Sequence, residues 1–301
     1  MLPTRELSAL LSLIDDPDEE VYQTVHARLM SFGTPVIPQL ETHWENTYNE
    51  SVQGRIEMVI HRIHFSELKK EFLIWAQDDS SLLHGALLVA KYQYPEIQSL
   101  KALQEIERMR RNLWLEMNNF ITPIEQVKIV ESILYKYYNL LGGEIDHKLV
   151  DDFMIHKVIE RKKGNTFTNG ILYLILAEML DIPVKAIKIP QQYILGYFSH
   201  AALFNKSYEI GLAKDQIKFF VDPHSGIAFS HKDLDQYFSK INQEVKNGYF
   251  KPLDNKAIIQ MLLQELSCCF SSPENKYKKE DIAEIISIIR KYPKHEPLDE
   301  Q

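Results

Sequence analysis

The chain has 301 residues, of which 45% are hydrophobic and 25% are charged, a balance typical of a folded globular protein of one or two domains. Its formal charge of −8 argues against a nucleic-acid partner, because affinity for phosphate requires clustered lysine and arginine. The sequence shows neither a signal-peptide pattern nor a run of ~18 apolar residues, so we expect a cytoplasmic protein that does not enter a membrane.

Two adjacent cysteines, Cys268 and Cys269, are the only ones in the sequence. They cannot supply a disulfide framework or the ligand spacing of a zinc site. Their apolar neighbours Leu262, Leu263 and Leu266 predict that both cysteines are buried. We expect neither a metal nor a cofactor.

Short amphipathic helices are predicted for residues 1–78. Val21, Val25 and Leu29 recur at helical spacing after an Asp-Pro-Asp break, and Gly33 can supply the left-handed residue that ends this helix. Paired helices separated by such breaks are typical of a HEAT-type stack, in which each pair buries its apolar face against a neighbour. We therefore interpret this region as HEAT-like.

The remaining sequence divides into a core with its leading helices, residues 79–250, and C-terminal helices, residues 251–301. Residues 122–125, Thr-Pro-Ile-Glu, form a capping box with proline at the first helical position and predict a helix that the Gly142-Gly143 pair ends. A further helix is predicted over about 148–162, up to the glycine that follows it.

The period of the apolar residues changes from helical to strand-like after a buried helix predicted over about 169–180. Short segments rich in β-branched and aromatic residues then predict strands at 184–189, 193–198, 201–204, 217–221 and 227–229. Helices followed by a small antiparallel sheet on a central helix indicate an α+β fold.

Five segments in the same order resemble the SirB-type branch of the bacterial transglutaminase-like superfamily, which is built on a papain-like fold. They are Leu-Ile-Asp-Asp-Pro-Asp-Glu-Glu-Val-Tyr at 13–22, the helix at 83–95, Val-Ile-Glu-Arg-Lys-Lys-Gly-Asn at 158–165, the helix at 171–183 and Phe-Val-Asp-Pro at 220–223. The resemblance covers roughly residues 10 to 245.

The resemblance implies a cysteine–histidine–aspartate site. In active members a cysteine at the start of the central helix is the nucleophile, because the helix N-terminus favours its thiolate. A histidine on the next strand takes the proton, and an aspartate one strand further orients the imidazole. Matched to this sequence, the three positions fall on Thr166, Gln192 and Asp222, and Asn165 precedes the nucleophile position.

Two of these three positions depart from the active pattern. A threonine hydroxyl ionises far less readily than a thiol, and the amide of Gln192 cannot accept a proton near neutral pH. We therefore predict a degenerate site in a binding or regulatory module that has a protein or peptide partner. The sequence does not indicate an oligomeric state. Glu160 and Arg161 are predicted to support the loop before Asn165 through an ion pair and backbone hydrogen bonds.

Three alternatives remain open. The chain could be a hydrolase or acyl-transferase that uses Thr166 with His200 and Asp222, with His224 as another candidate base. It could be an adaptor that binds through the HEAT-like helices alone. The site residues could also be purely structural, with Thr166 or Thr168 capping the central helix and Asp222 ending a strand in a turn.

Overall fold

A computed structural model describes residues 4–77, 81–118, 120–199 and 214–292, with only the backbone for Thr4 and Asn247. The described residues up to Glu71 form one compact unit, and those from Phe72 onwards form a second. The helices of the first unit are α1 (Thr4–Ser12), α2 (Glu19–Phe32), α3 (Ile37–Asn46) and α4 (Glu50–Gln77), whose last turns belong to the second unit.

The first unit is helical in its described residues, as the periodicity predicts. The carboxylate of Asp18 caps α2 by accepting a hydrogen bond from the backbone N–H of Glu20 at 2.9 Å, and Gly33 ends the helix with a φ of 66°. Val25 and Leu29 are buried in a core shared with the other helices. The HEAT-type classification of this stack stays a prediction.

The described residues of the second unit contain eight further α-helices. They are α5 (Leu82–Gln93), α6 (Ser99–Glu116), α7 (Pro123–Glu131), α8 (Ile155–Arg161), α9 (Thr166–Met179), α10 (His231–Lys240), α11 (Asn255–Cys268) and α12 (Lys276–Lys291). The predicted capping box is confirmed, since the Thr122 hydroxyl and the Glu125 carboxylate each accept a backbone N–H of the other residue. The C-terminal helices α11 and α12 belong to this unit, where α11 packs on α5 and α9.

A four-stranded antiparallel sheet covers one side of α9. Its strands are β3 (Val184–Ile189), β4 (Gln192–Phe198), β5 (Ile217–Val221) and β6 (Ala228–Phe229), paired in that order. These bounds confirm four of the five predicted strands, and the fifth, at 201–204, lies outside the described residues. One face of the sheet packs on α9, and the other forms a cluster with Leu234 and Phe238 of α10.

The sequence predicted that the Gly142-Gly143 pair ends a helix, and this prediction is wrong. The pair is part of a short strand. β1 (Leu141–Gly143) pairs in parallel with β2 (Lys163–Asn165), which places Gly143 opposite Asn165. The helix predicted over 148–162 is correspondingly shorter and is preceded by a 3-10 turn, Val150–Phe153. Lys162 ends α8 in a left-handed conformation with a φ of 55°, which lets the chain turn into β2.

The central helix α9 is buried continuously from Phe167 to Ala177. It begins at Thr166 rather than at 169, because Asn165 and not a threonine is its N-cap residue. Asn165 has extended backbone angles and a side chain that accepts the N–H of Thr168, which is the geometry that asparagine favours at this position. The prediction that Thr166 or Thr168 caps this helix is therefore wrong, whereas the prediction of a buried helix is confirmed.

The prediction that both cysteines are buried is wrong. Cys268 is exposed and Cys269 is half-buried. The buried stripe of α11 ends at Leu266, and Cys268, two residues later, projects from a different side of the helix. Within the part of the chain that the structure describes, no helix has the length and apolar character needed to cross a membrane.

Candidate functional site

The candidate site begins at the N-terminus of α9. The amide oxygen of Asn165 accepts the backbone N–H of Thr168 at 2.8 Å, and the Thr166 hydroxyl donates to the carbonyl oxygen of Gly143 at 3.1 Å. Thr166 is half-buried, while Asn165 and Thr168 are fully buried. The residue at the nucleophile position thus ties α9 to β1.

A second hydrogen bond joins α9 to β1. The amide nitrogen of Asn169 donates to the carbonyl oxygen of Leu141 at 3.1 Å. A Cβ added to Gly164 would lie 2.5 Å from Oδ1 of Asn169, so β2 approaches the helix closely enough to require glycine at this position. β1 and β2 are therefore fixed against the first turn of α9.

Three buried polar atoms in this region have no hydrogen-bond partner among the described residues. They are Nδ2 of Asn165, Oγ1 of Thr168 and Oδ1 of Asn169. Burial of unpaired polar atoms costs free energy. Such atoms are found mainly at functional sites or where an ordered water molecule binds. The sequence offered no signal for this cluster, because only the packing buries these side chains.

Asp222 lies in the tight turn that follows β5. Its carboxylate accepts the backbone N–H of His224 at 3.0 Å and the hydroxyl of Ser225 at 2.7 Å. Its carbonyl oxygen accepts the N–H of Gly226, which has a φ of 74°. The turn predicted for this aspartate is confirmed, and both carboxylate oxygens take part in it.

The turn at Asp222 and the start of α9 lie on the same side of the second unit. A Cβ added to Gly170 would be 3.1 Å from Cβ of Pro223, and one added to Gly142 would be 2.8 Å from Nδ1 of His224. The hydroxyl of Tyr135 donates to the carbonyl oxygen of Pro223 at 2.7 Å and provides a further contact that holds the turn. The structure therefore brings the Thr166 and Asp222 regions together, with β1 beside both.

Gln192 is exposed and begins β4, where it pairs with Ile189 across the hairpin. Successive strand residues point to opposite faces, so Gln192 shares a face with Ile194, which belongs to the cluster on α10. Its side chain has no hydrogen bond to another described residue. The structure does not join Gln192 to Thr166 or Asp222.

Tyr193, one residue later, is the hairpin residue that meets the central helix. Its ring lies 4.5 Å, centroid to centroid, from that of Phe167, and a Cβ added to Gly170 would lie 2.5 Å from its Cε1. The sequence predicts a strand over 193–198 and does not single out Tyr193. Strand alternation counted from the Pro-Gln turn is the signal that could have identified it.

Buried tyrosines surround this region as neutral phenols. Burial raises the pKa of Tyr193 and of Tyr173, and the hydroxyls of both have no partner among the described residues. Burial also raises the pKa of Tyr135, and the nearby Asp222 carboxylate raises it further. A phenol with a raised pKa donates a hydrogen bond but does not act as a base near neutral pH.

Glu160 and Arg161 do not contact the loop that they were predicted to support. Arg161 forms an ion pair with Asp151 and lies 3.5 Å from the carboxylate of Asp152. Glu160 lies 3.6 Å from the ammonium group of Lys157 on the same helix. These pairs fix α8 and the turn before it.

No imidazole within the described ranges is hydrogen-bonded to Thr166, Thr168 or the Asp222 carboxylate, and His224 contributes only its backbone N–H. His200 lies outside those ranges, so the alternative that uses it stays a prediction. Among the same residues, no three or more His, Cys, Asp or Glu side chains are grouped so that they could hold a metal ion.

A sequence model of the transglutaminase-like superfamily matches residues 100–264, more than half of the chain. F-box only protein 21 of Mus musculus is 26% identical over 148 residues, which cover 42% of this chain and 24% of that protein. Protein SirB1 of Salmonella typhimurium is 21% identical over 118 residues, covering 39% and 44%. UPF0162 protein BU173 of Buchnera aphidicola is 23% identical over 115 residues, covering 38% and 43%.

The chain thus spans less than half the length of each of these relatives. No solved structure matches it significantly. The match to the family model lies on the second unit and includes β1, β2, α9 and the turn at Asp222. The chain therefore belongs to the transglutaminase-like superfamily, in its SirB-type branch.

Proposed function

We propose that this protein is a non-catalytic member of its superfamily and acts as a binding or regulatory module in the cytoplasm. One observation carries the proposal: the Thr166 hydroxyl at the nucleophile position donates its hydrogen to the carbonyl of Gly143 instead of to a base. A nucleophilic hydroxyl requires a base within hydrogen-bond reach to remove its proton.

The other two positions support the same conclusion. Gln192 supplies an amide, which cannot take up a proton near neutral pH, and strand alternation places it on the sheet face away from α9. The Asp222 carboxylate accepts hydrogen bonds from its own turn. An aspartate held in this way stabilises the turn and orients no imidazole of the described residues.

Exposed apolar side chains on the second unit are consistent with a protein partner. Trp114 and Leu115 near the end of α6 are 61% and 71% exposed, and Phe120 in the following loop is 95% exposed. Large apolar side chains that cluster at a surface are typical of interaction sites. A binding role also agrees with the retention of a folded superfamily core whose nucleophile is absent.

A turnover assay on the purified chain tests the proposal. The substrates are p-nitrophenyl acetate, an ester, and an N-acylated glutamine dipeptide offered with an amine acceptor. The parent protein carries Cys268→Ser and Cys269→Ser, because Cys268 is exposed and reacts with the ester by itself. Within this parent we expect Thr166→Ala and Asp222→Asn to leave the rates at the level of the parent.

A rate that falls at least about tenfold in Thr166→Ala, corresponding to about 1.4 kcal/mol of transition-state stabilisation, contradicts the proposal if that variant remains folded. Thr24→Ala, which changes an exposed threonine in α2, is the matched control for the loss of a hydroxyl. Its rate should equal that of the parent in either case.

A further inference from the structure

A cavity of about 690 Å³ opens between the end of α5, the first half of α6 and α8. Its wall contains none of Asn165, Thr166, Gln192 or Asp222, so it is separate from the site described above. Its volume lies within the range of roughly 300 to 1,000 Å³ that is typical of sites for small organic ligands.

The wall combines apolar surface with amide groups. Pro95, Ile97, Ala102 and Ile159 supply aliphatic surface, and three glutamines supply amides that can both donate and accept hydrogen bonds: Gln93, Gln98 and Gln104. Predominantly apolar walls with a few polar groups characterise small-molecule sites, in which the apolar surface provides affinity and the polar groups fix orientation.

The wall carries one more negative than positive charge, and Lys162 beside it offsets the difference. Three glutamates and two lysines line the cavity: Glu96, Glu105, Glu160, Lys101 and Lys157. Lys157 lies 3.6 Å from Glu160, and Lys162, just outside the wall, lies 3.6 Å from Glu105. With Lys162 included, three cations face three anions. A ligand with a net charge would lose hydration and gain little attraction from such a wall, so the wall favours a neutral ligand.

One aromatic pair fixes the shape of the wall. The ring of Tyr94 meets the ring of His156 edge-on at 5.1 Å, and the ammonium group of Lys157 lies 5.1 Å from the centre of the Tyr94 ring. The Tyr94 hydroxyl donates to the carboxylate of Asp151. These contacts hold Tyr94 and His156 in place before a ligand arrives, which lowers the ordering cost of binding.

His156 offers the cavity a hydrogen-bond donor. Its Nδ1 is buried without a partner among the described residues, so Nε2 is the nitrogen that a ligand in the cavity can reach. Burial, with a smaller contribution from Lys157, lowers the pKa of His156 to about 4, so the ring is neutral at neutral pH. An N–H on Nδ1 would be enclosed without an acceptor, and the tautomer with the hydrogen on Nε2 avoids that cost.

We propose that this cavity binds a neutral small molecule with an apolar body and a carbonyl group, the carbonyl oxygen accepting a hydrogen bond from Nε2 of His156. The apolar body lies against Pro95, Ile97 and Ile159. The proposal is independent of whether Thr166 has any catalytic role, because neither Thr166 nor Gln192 nor Asp222 lines the cavity.

Ligand-observed NMR with benzamide as the probe tests the proposal on the full chain. Benzoate and benzylammonium have the same ring with a negative or a positive charge, and fluorobenzene has the ring without a carbonyl. We expect benzamide to bind more tightly than either charged probe. His156→Phe, which keeps a ring beside Tyr94, should weaken benzamide about threefold to tenfold, the net value of one hydrogen bond, and leave fluorobenzene unchanged.

Two tryptophan variants locate the binding. Lys101→Trp places a large ring in the cavity wall and should abolish benzamide binding, whereas Leu100→Trp changes an exposed neighbour that is not part of the wall and should not. Circular dichroism verifies that each variant is folded. The proposal is overturned if the parent does not bind benzamide, if both tryptophan variants still bind it equally, or if His156→Phe weakens fluorobenzene as much as benzamide.

Discussion

Asn165 and Thr168 are buried side by side at the start of α9, yet the structure gives them opposite energetic roles. Asn165 caps the helix through the N–H of Thr168, whereas the Thr168 hydroxyl has no partner among the described residues. Loss of an N-cap costs about 0.5–2 kcal/mol. Replacement of an unpaired buried hydroxyl by a methyl group of the same shape is close to neutral or stabilising.

We therefore predict that Asn165→Ala lowers the free energy of unfolding by about 1–2 kcal/mol, and that Thr168→Val leaves it unchanged or raises it by up to about 1 kcal/mol. Urea denaturation followed by circular dichroism measures both. A loss of more than about 1 kcal/mol in Thr168→Val, the net value of a hydrogen bond, would show that the hydroxyl has a partner.

The lowered pKa of His156 predicts that the stability of the chain depends on pH. Its pKa is lowered from 6.5 to about 4 in the folded chain, so between these values the unfolded chain binds a proton that the folded chain does not. The free energy of unfolding therefore falls as the pH decreases from 6.5 towards 4, and His156 has no effect on the pH dependence above that window.

Comparison with His156→Phe isolates this contribution from those of the carboxylates. Above the window the two proteins should differ by a constant amount, and below pH 6.5 the wild-type protein should lose stability relative to the variant. Urea denaturation at a series of pH values measures the difference. Parallel curves throughout would mean that His156 titrates normally in the folded chain.

At the scale of the elements, the contact of α9 with the β3–β4 hairpin and the turn at Asp222 depends on one glycine. Alanine is a better helix former than glycine by about 1 kcal/mol. At Gly170 this advantage is outweighed, because the added Cβ would lie 2.5 Å from Cε1 of Tyr193 and 3.1 Å from Cβ of Pro223. Overpacking of this kind typically costs about 1–3 kcal/mol.

Gly170→Ala should therefore lower the unfolding midpoint of the chain, whereas Gly54→Ala should raise it. Gly54 lies inside α4 and a Cβ there has no neighbour within 4 Å, so only the helix propensity changes. The double variant Gly170→Ala, Tyr193→Leu should recover part of the loss, because it removes the ring. If alanine changed the unfolding midpoint equally at the two glycines, the ring of Tyr193 would not lie against α9.

The sequence predicted the elements whose signals are local. The β3–β4 hairpin follows from short segments rich in β-branched and aromatic residues on both sides of a Pro-Gln turn, and α7 follows from its capping box. The β1–β2 pair could not be predicted, because each strand has three residues, β1 contains two glycines, and the pairing joins Gly143 to Asn165 across a helix and a turn. Burial of Thr168 likewise depends on distant contacts.

At the scale of the whole molecule, the chain combines a central helix, a sheet and a carboxylate turn, and we propose that two of the three chemical groups of an active site, at positions 166 and 192, are lost. Thr166 is the first residue of α9, and helix N-termini favour a thiolate. A cysteine placed there should therefore react with an acyl donor. If the site lacks a base, as we propose, water should not release the acyl group.

Intact-mass spectrometry after incubation with p-nitrophenyl acetate measures acylation of the site directly. The experiment uses the Cys268→Ser, Cys269→Ser parent, and peptide mapping identifies the acylated residue. We predict no acetyl group on Thr166 or Thr168 in the parent, and a single persistent acetyl group at position 166 in Thr166→Cys. An acetyl group on either threonine of the parent, or rapid deacylation in Thr166→Cys, would contradict the conclusion that the site lacks a nucleophile and a base.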